Sequence, residues 1–150
     1  MANIKVRKEV FETNSSSVHS LVIASEGREP SVLPVDDEGY ILADFGNFGK
    51  EYEIYNSQAD KLSYLLTCVY YLTHGWDIES VYEHYDFRHI EEAVCEYAGA
   101  RGIKIIGACE PELDHQSIPY GNIEIINTWD KDEIINFVFN HYIALKTDCD

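Results

Sequence analysis

The stretch Thr13 to Ser20, TNSSSVHS, carries more polar side chains than a turn of its length needs. Hydroxyls, backbone N–H groups and an imidazole together suit a phosphate or a carboxylate, and His19 can exchange a proton near pH 7. In the alternative interpretation, these side chains only satisfy backbone donors within a turn. We interpret the stretch as a candidate ligand site. Its predicted binding residues are Asn14, Ser15, Ser16, Ser17 and Ser20.

A second polar loop again places a histidine beside hydrogen-bonding side chains, in the order Asp114, His115, Gln116, Ser117. Neighbours in sequence do not form an oriented acid and base pair unless the fold brings their side chains together. Both loops follow predicted strands, and strand ends are where sites are commonly built. We therefore predict His19, His115 and Asp114 as catalytic candidates, and Gln116 and Ser117 as binding residues.

The first loop is positioned by two predicted strands. Residues 3–10 alternate between apolar and polar side chains, and 18–25 form a second run of the same kind. A connection of about five residues, Thr13 to Ser17, is short enough for a hairpin. Further strands are predicted in YILADF (40–45), EYEIYN (51–56), IKIIGA (103–108) and Ile123 to Ile126.

Three longer segments have the apolar period of a helix. They run from Asn56 or Ser57 to Gly75, from Asp86 to Gly102, and from Asp130 to Tyr142. Strands and helices follow one another without a regular βαβ alternation. The sequence thus predicts an α+β fold: one globular domain over 1–150, with a mainly antiparallel or mixed sheet and about three helices packed on it.

Net charge is the strongest compositional feature, at −16 from 27 acids and 11 bases. Such a surface repels the phosphates of a nucleic acid duplex and the headgroups of a membrane, and it favours basic partners. The sequence contains no run of about 18 apolar residues, the length that a membrane-spanning helix needs, and no signal peptide is recognised. We expect a cytoplasmic protein of undetermined oligomeric state.

The remaining candidate clusters favour structural roles. Four cysteines occur without a C-x-x-C pair, so neither a zinc site nor a redox motif is predicted. His74, Asp77, His84, Asp86 and His89 lack the spacing of metal ligands. We therefore predict no metal and no cofactor, and interpret these histidines as surface or core residues.

The segment FETNSSSVHS (11–20) resembles the N-terminal signature of a family of uncharacterised bacteriophage and prophage proteins, F-E-T-N-S-S-S-x-H-S. Similar members also carry a D-H-Q-S stretch, as at 114–117 here. The resemblance implies a phage context, inside a bacterial host cell, and implies no activity. Two-histidine phosphoesterases also use paired H-x-[S/T] strands. His115-Gln116-Ser117 fits that pattern, whereas the serine after His19 stands one residue too early.

Three functions remain open. The first is a phage accessory protein, in an anti-defence role, that binds a phosphorylated or nucleotide-like small molecule. In this function His19 and His115 hydrolyse the ligand or transfer a group from it. The second is a non-enzymatic acidic inhibitor or nucleic-acid mimic that binds a basic groove of a host protein. The third is a structural or assembly factor. The first function requires the two polar loops to meet in space. The second requires the carboxylates to share one face.

Overall fold

The computed structural model describes residues 5–11, 17–23, 27–49, 53–74, 77–113 and 123–149, and of these the backbone alone at 5–11, 17–23 and 148–149. The strands are β1 (Lys5–Phe11), β2 (Ser17–Ile23), β3 (Tyr40–Ala43), β4 (Asn47–Phe48), β5 (Glu53–Tyr55), β6 (Gly102–Ile105), β7 (Glu112–Leu113) and β8 (Ile143–Cys149). The helices are α1 (Gln58–Leu72), α2 (Ile78–Glu83), α3 (Tyr85–Ala98) and α4 (Lys131–Phe139). The α+β prediction is confirmed.

The strands form one four-stranded sheet and two small pairs. The larger sheet has the order β1-β2-β8-β5 and is antiparallel throughout. The pairs β3-β6 and β4-β7 are parallel. The predicted hairpin is confirmed, since β1 and β2 pair antiparallel, with an irregular register between Val6 and Lys8. The C-terminal segment returns to the sheet as β8, between β2 and β5.

Local sequence sets where the helices begin. Ser57 accepts a hydrogen bond from the backbone N–H of Asp60 at 3.1 Å and starts α1. Asp130 accepts from the N–H groups of Asp132 and Glu133, so the start of α4 follows the prediction. The helix α3 begins differently, because Nδ1 of His84 caps it and Asp86 lies inside its first turn.

Apolar faces of α1, α3 and α4 pack together with side chains of β3, β4, β6, β7 and β8 into one buried cluster. Leu65, Ile90 and Phe137 are buried helix residues of this core, and Leu145 joins it from β8. Lys61 of α1 is also fully buried. Its ammonium group donates to the backbone carbonyls of Asn140 and Ile143, at 2.8 and 2.9 Å. The lysine thereby joins α1 to the connection between α4 and β8.

Some predicted elements are wrong in detail. Ile123 to Ile126 form bends rather than a strand, because their apolar side chains are buried without a ladder partner among the described strands. The strand predicted at 103–108 ends at Ile105, and Ile106 is exposed. The short helix α2 was not predicted. Its six residues are too few for a periodic signal.

The predicted glycine stops are displaced. In α1 the residue with left-handed backbone is His74, with φ of 64°, just before the predicted Gly75. In α3 the helix ends at Gly99, with φ of 73°, and not at Gly102. Gly102 instead opens β6.

Candidate functional site

The predicted site residues lie mostly outside the described residues. This holds for Asn14, Ser15, Ser16, Asp114, His115, Gln116 and Ser117. Ser17, His19 and Ser20 lie within β2, where His19 is the register partner of Val10 on one side and Thr147 on the other. His19 therefore belongs to an inner strand rather than to the loop. That the two polar loops meet stays a prediction.

Two members of the histidine and aspartate group between 74 and 89 cap helices. Asp77 caps α2 by accepting from the N–H of Ser80 at 2.8 Å. Nδ1 of His84 accepts from the N–H of Asp86 at 3.1 Å, which requires that nitrogen to be unprotonated. Burial lowers the pKa of His84, and the nearby Asp86 carboxylate opposes that shift. Within the described ranges, no three His, Cys, Asp or Glu side chains are grouped to hold a metal ion.

Asp86 is a fully buried carboxylate at the start of α3. Its Oδ1 accepts a hydrogen bond from the hydroxyl of Thr128, which is itself buried. Its Oδ2 has no hydrogen-bond partner among the described residues and lies 3.9 Å from Nδ1 of His84. A buried charge is costly unless it is bonded. The bond to Thr128 therefore ties the segment before α4 to the first turn of α3.

Next to this bond an aromatic cluster reaches the surface, which we call the Trp129 patch: Tyr85, His89 and Trp129. The ring centroids of Trp129 and His89 are 4.4 Å apart, and those of Trp129 and Tyr85 are 5.6 Å apart. Trp129 is 69% exposed and Tyr85 is 42% exposed. A large indole ring left in water on a folded domain is an informative feature, because it is a favourable contact for a ligand or partner.

A cavity of about 170 Å³ lies beside the patch, lined by His89, Glu92, Thr128, Trp129 and Lys131. The ammonium group of Lys131 lies between the carboxylates of Glu92, at 3.0 Å, and Glu96, at 2.6 Å. These hydrogen bonds, the one to Glu96 foremost, raise the pKa of Lys131. Glu92 of α3 thus pairs with Lys131 of α4, across two helices.

The chemistry of this cavity favours binding over reaction. The carboxylates of Glu92 and Glu96 share one ammonium group, and the carboxyl group of Asp86 is bonded to the lining residue Thr128, so acidic side chains outnumber basic ones around Lys131. The hydroxyl of Thr128 is buried and already donates to Asp86, so it does not reach a substrate. Nδ1 of His89 is buried and has no hydrogen-bond partner in the part of the chain that the structure describes.

Acidic residues of the turn 36–38 and of α3 contact different elements of the fold. The acidic turn 36–38 is bound by Lys104 of β6, whose ammonium lies 2.8 Å from Asp36 and 3.0 Å from Glu38. Glu91 accepts from the backbone of that same strand, at the N–H of Ile103. The neighbouring Glu92 instead contacts α4. The acidic turn and Glu92 are therefore bound by different lysines, one from β6 and one from α4.

Comparisons of the chain with protein-family models, with curated proteins and with solved structures found no match. None of the described helices has the length and apolar composition needed to cross a bilayer. The functional interpretation therefore depends on the residues and geometry of this chain.

The sequence interpretation missed Trp129, Tyr85 and Thr128 as functional candidates. The available signal was the run NTWD (127–130), in which a tryptophan directly precedes the capping residue of a helix. A helix cap lies at the surface more often than in a core, so an indole beside it was a candidate for exposure. Sequence alone does not separate this case from a buried tryptophan.

Proposed function

We propose that this chain is a non-enzymatic acidic binding protein that docks on a basic surface of another protein through the Trp129 patch. In the phage context that the resemblance implies, the partner is a basic host protein and the outcome is its inhibition. The observation that carries the proposal is the exposed indole of Trp129, held on a ring cluster beside the carboxylate of Glu92.

The patch has the composition of an interaction hot spot. Tryptophan and tyrosine dominate binding energy in protein interfaces, because their large rigid faces bury much area at little entropic cost. The bond from Thr128 to Asp86 holds the residue before Trp129 in place. A partner therefore meets a ring whose position is already fixed by its neighbours, which lowers the cost of association.

Charge supports a basic partner over an acidic one. The chain carries −16 in all, and the Lys131 ammonium beside the patch is already shared by two carboxylates. Opposite fields speed the encounter of two proteins and are screened by salt. A mimic with carboxylates at phosphate spacing along one face has less support, because carboxylates of the turn 36–38 and of α3 are bound by lysines of the chain itself.

The test compares two substitutions that leave the net charge unchanged. Trp129→Ala removes the exposed indole, and Val32→Ala removes an exposed side chain, 79% accessible, away from the patch. Binding of a labelled peptide rich in arginine and lysine is measured by fluorescence anisotropy at several salt concentrations. We expect Trp129→Ala to weaken binding about tenfold or more and Val32→Ala to leave it unchanged.

Wild-type binding should also weaken as salt is raised. If Trp129→Ala and Val32→Ala bind the peptide equally well, association depends on net charge alone and the patch is not the contact. The proposal would then be wrong.

A further inference from the structure

We infer that the cavity beside Trp129 binds a guanidinium group, the end of an arginine side chain on the partner. This inference rests on the proposed function and specifies its central contact. Size is the first argument. Pockets for drug-sized ligands usually enclose about 300 Å³ or more, whereas this cavity encloses about 170 Å³. It suits one side chain rather than a nucleotide.

Charged residues in and next to the cavity determine whether a cation or an anion binds. Among the described residues that line the cavity, Glu92 and Lys131 carry charge, and the Lys131 ammonium is shared with Glu96, which lies outside the lining. Oδ2 of Asp86 is buried behind Thr128 and has no hydrogen-bond partner among the described residues. A cation gains from these charges, while a phosphate would be repelled by them.

The aromatic rings select the shape of the cation. Trp129 lines the cavity and is 69% exposed, with the ring of Tyr85 packed beside it, and a cation over such an aromatic face is attracted by the ring quadrupole. A guanidinium is planar and weakly hydrated, so it stacks on an indole while it donates to a carboxylate. A lysine ammonium is compact and strongly hydrated, and it gains less from the same surface.

Lys131 competes with the arginine for the same carboxylate. When a guanidinium binds Glu92, Lys131 keeps its shorter bond to Glu96 and gives up the one to Glu92. Removing the lysine charge should therefore strengthen the binding of a cation. It should weaken the binding of an anion, so one substitution distinguishes the two classes of ligand.

The chain offers a matched control for this substitution. Lys104 also lies between two carboxylates, Asp36 and Glu38, and is about as exposed as Lys131, at 42% against 44% of the side chain. Lys131→Met and Lys104→Met change the net charge equally. Any difference between them in peptide binding is therefore specific to the cavity.

The experiment titrates the full chain with two labelled peptides, one of arginine and glycine and one of lysine and glycine at the same positions. We expect the arginine peptide to bind about three- to fivefold tighter to the wild type. Lys131→Met should raise its affinity more than Lys104→Met does, and Glu92→Gln should lower it. Each variant is first checked for an unchanged unfolding midpoint, and Glu92→Gln provides the test if Lys131→Met does not fold.

Three results would overturn the inference. Equal affinity for both peptides, with Lys131→Met indistinguishable from Lys104→Met, would remove the guanidinium assignment. If Trp129→Ala still weakened binding in that case, the proposed function would stand. Loss of the Trp129 dependence itself would overturn both. Saturable binding of inorganic phosphate that Lys131→Met abolishes would reverse the sign of the ligand.

Discussion

The hydroxyl of Thr128 donates to the carboxylate of Asp86, 42 positions earlier in the chain, and both side chains are buried. This bond fastens the segment that carries Trp129 to the start of α3. It also provides the hydrogen-bond donor that the buried Oδ1 requires. Stability and the position of the exposed indole therefore depend on the same contact.

Thr128→Val should destabilise the fold by about 2 to 4 kcal/mol, because it leaves a buried carboxylate without its donor. Urea unfolding measures the change. The control is Thr73→Val, at a half-buried threonine that donates to the carbonyl of Tyr70 within a helix end. It should cost about 1 kcal/mol.

Adding Asp86→Asn to Thr128→Val should recover part of the loss, since a neutral amide is less costly to bury than a carboxylate. A cost for Thr128→Val no larger than that for Thr73→Val would show that the Asp86 carboxylate does not depend on this bond.

Stability should rise with pH above 8 through Lys61. Burial lowers the pKa of Lys61 to about 8, against 10.5 for the free side chain. Between these values the unfolded chain holds the proton and the folded chain does not, so raising the pH favours the folded state. The neutral amine keeps two N–H groups, enough for the carbonyls of Asn140 and Ile143.

Lys61 should contribute about 1 kcal/mol between pH 7 and 9, measured as the difference in pH dependence between the wild type and Lys61→Met. Burial raises the pKa of Cys95 to about 11 and that of Cys68 to about 12, so stability falls again above pH 9, where unfolded thiols ionise. Urea midpoints of the wild type and Lys61→Met across this range give the measurement. Lys104→Met should keep the rise, and a rise in Lys61→Met equal to that of the wild type would refute the assignment.

At two helix ends with positive φ, glycine should be more stable than a residue that carries a Cβ. His74 adopts a left-handed backbone, which costs a residue with a Cβ about 1 kcal/mol, whereas Gly99 adopts it freely. His74→Gly should therefore stabilise by about 0.5 to 1 kcal/mol, and Gly99→Ala should destabilise by a similar amount. No atom lies within 4 Å of a Cβ built at Gly99, so its cost is conformational only. Thermal unfolding of both variants tests the pair, and changes of the same sign would contradict it.

Core truncation should be costly at the helix faces that the sequence predicts. Leu65→Ala and Phe137→Ala each remove a buried side chain, and we expect losses of about 2 to 5 kcal/mol from lost burial and the cavity left behind. Val32→Ala, on the surface, should change the denaturant midpoint little. Midpoints for Leu65→Ala and Phe137→Ala that match the wild type would mean that the two helices pack by other faces.

The two polar loops can be tested without a structure of their ligand. If they form one site, His19→Ala and His115→Ala should each leave stability unchanged or slightly raised, while the thermal shift produced by nucleotides or cyclic nucleotides is lost. The double variant should be no worse than either single one, because residues that act as a unit are not additive. If each single variant lost stability and the ligand-induced thermal shift to the same extent, the two loops would be structural turns and not a ligand site.

The elements that the sequence predicts best are those with a local cause. The hairpin follows from alternation, and the starts of α1 and α4 follow from Ser57 and Asp130 as caps. Predictions failed where tertiary contacts decide. The isoleucines Ile123, Ile125 and Ile126 are buried, yet their segment does not pair as a strand with any described strand. Asp86 does not cap its helix, because it bonds to a threonine far along the chain.

The candidate site was harder to predict than the fold for the same reason. The Trp129 patch joins side chains from α3 and from the segment before α4, and no local pattern brings Tyr85 to Trp129. Polarity drew attention to the loops at 13–20 and 114–117, where most of the chain lies outside the described residues. An exposed aromatic ring is a property of packing, so it becomes visible only once the packing is known.

The place of β8 between β2 and β5 determines when the sheet can form during synthesis. Ile23 of β2 pairs with Ile143 of β8, so the hairpin emerges from the ribosome about 120 residues before its neighbour, a delay of roughly 6 to 24 s at usual elongation rates. For that interval β2 presents an open edge to other chains. Pairings this distant also slow folding, since the chain loses entropy before the contacts form. The nascent hairpin is thus the part of this protein most exposed to misassociation and most in need of a chaperone.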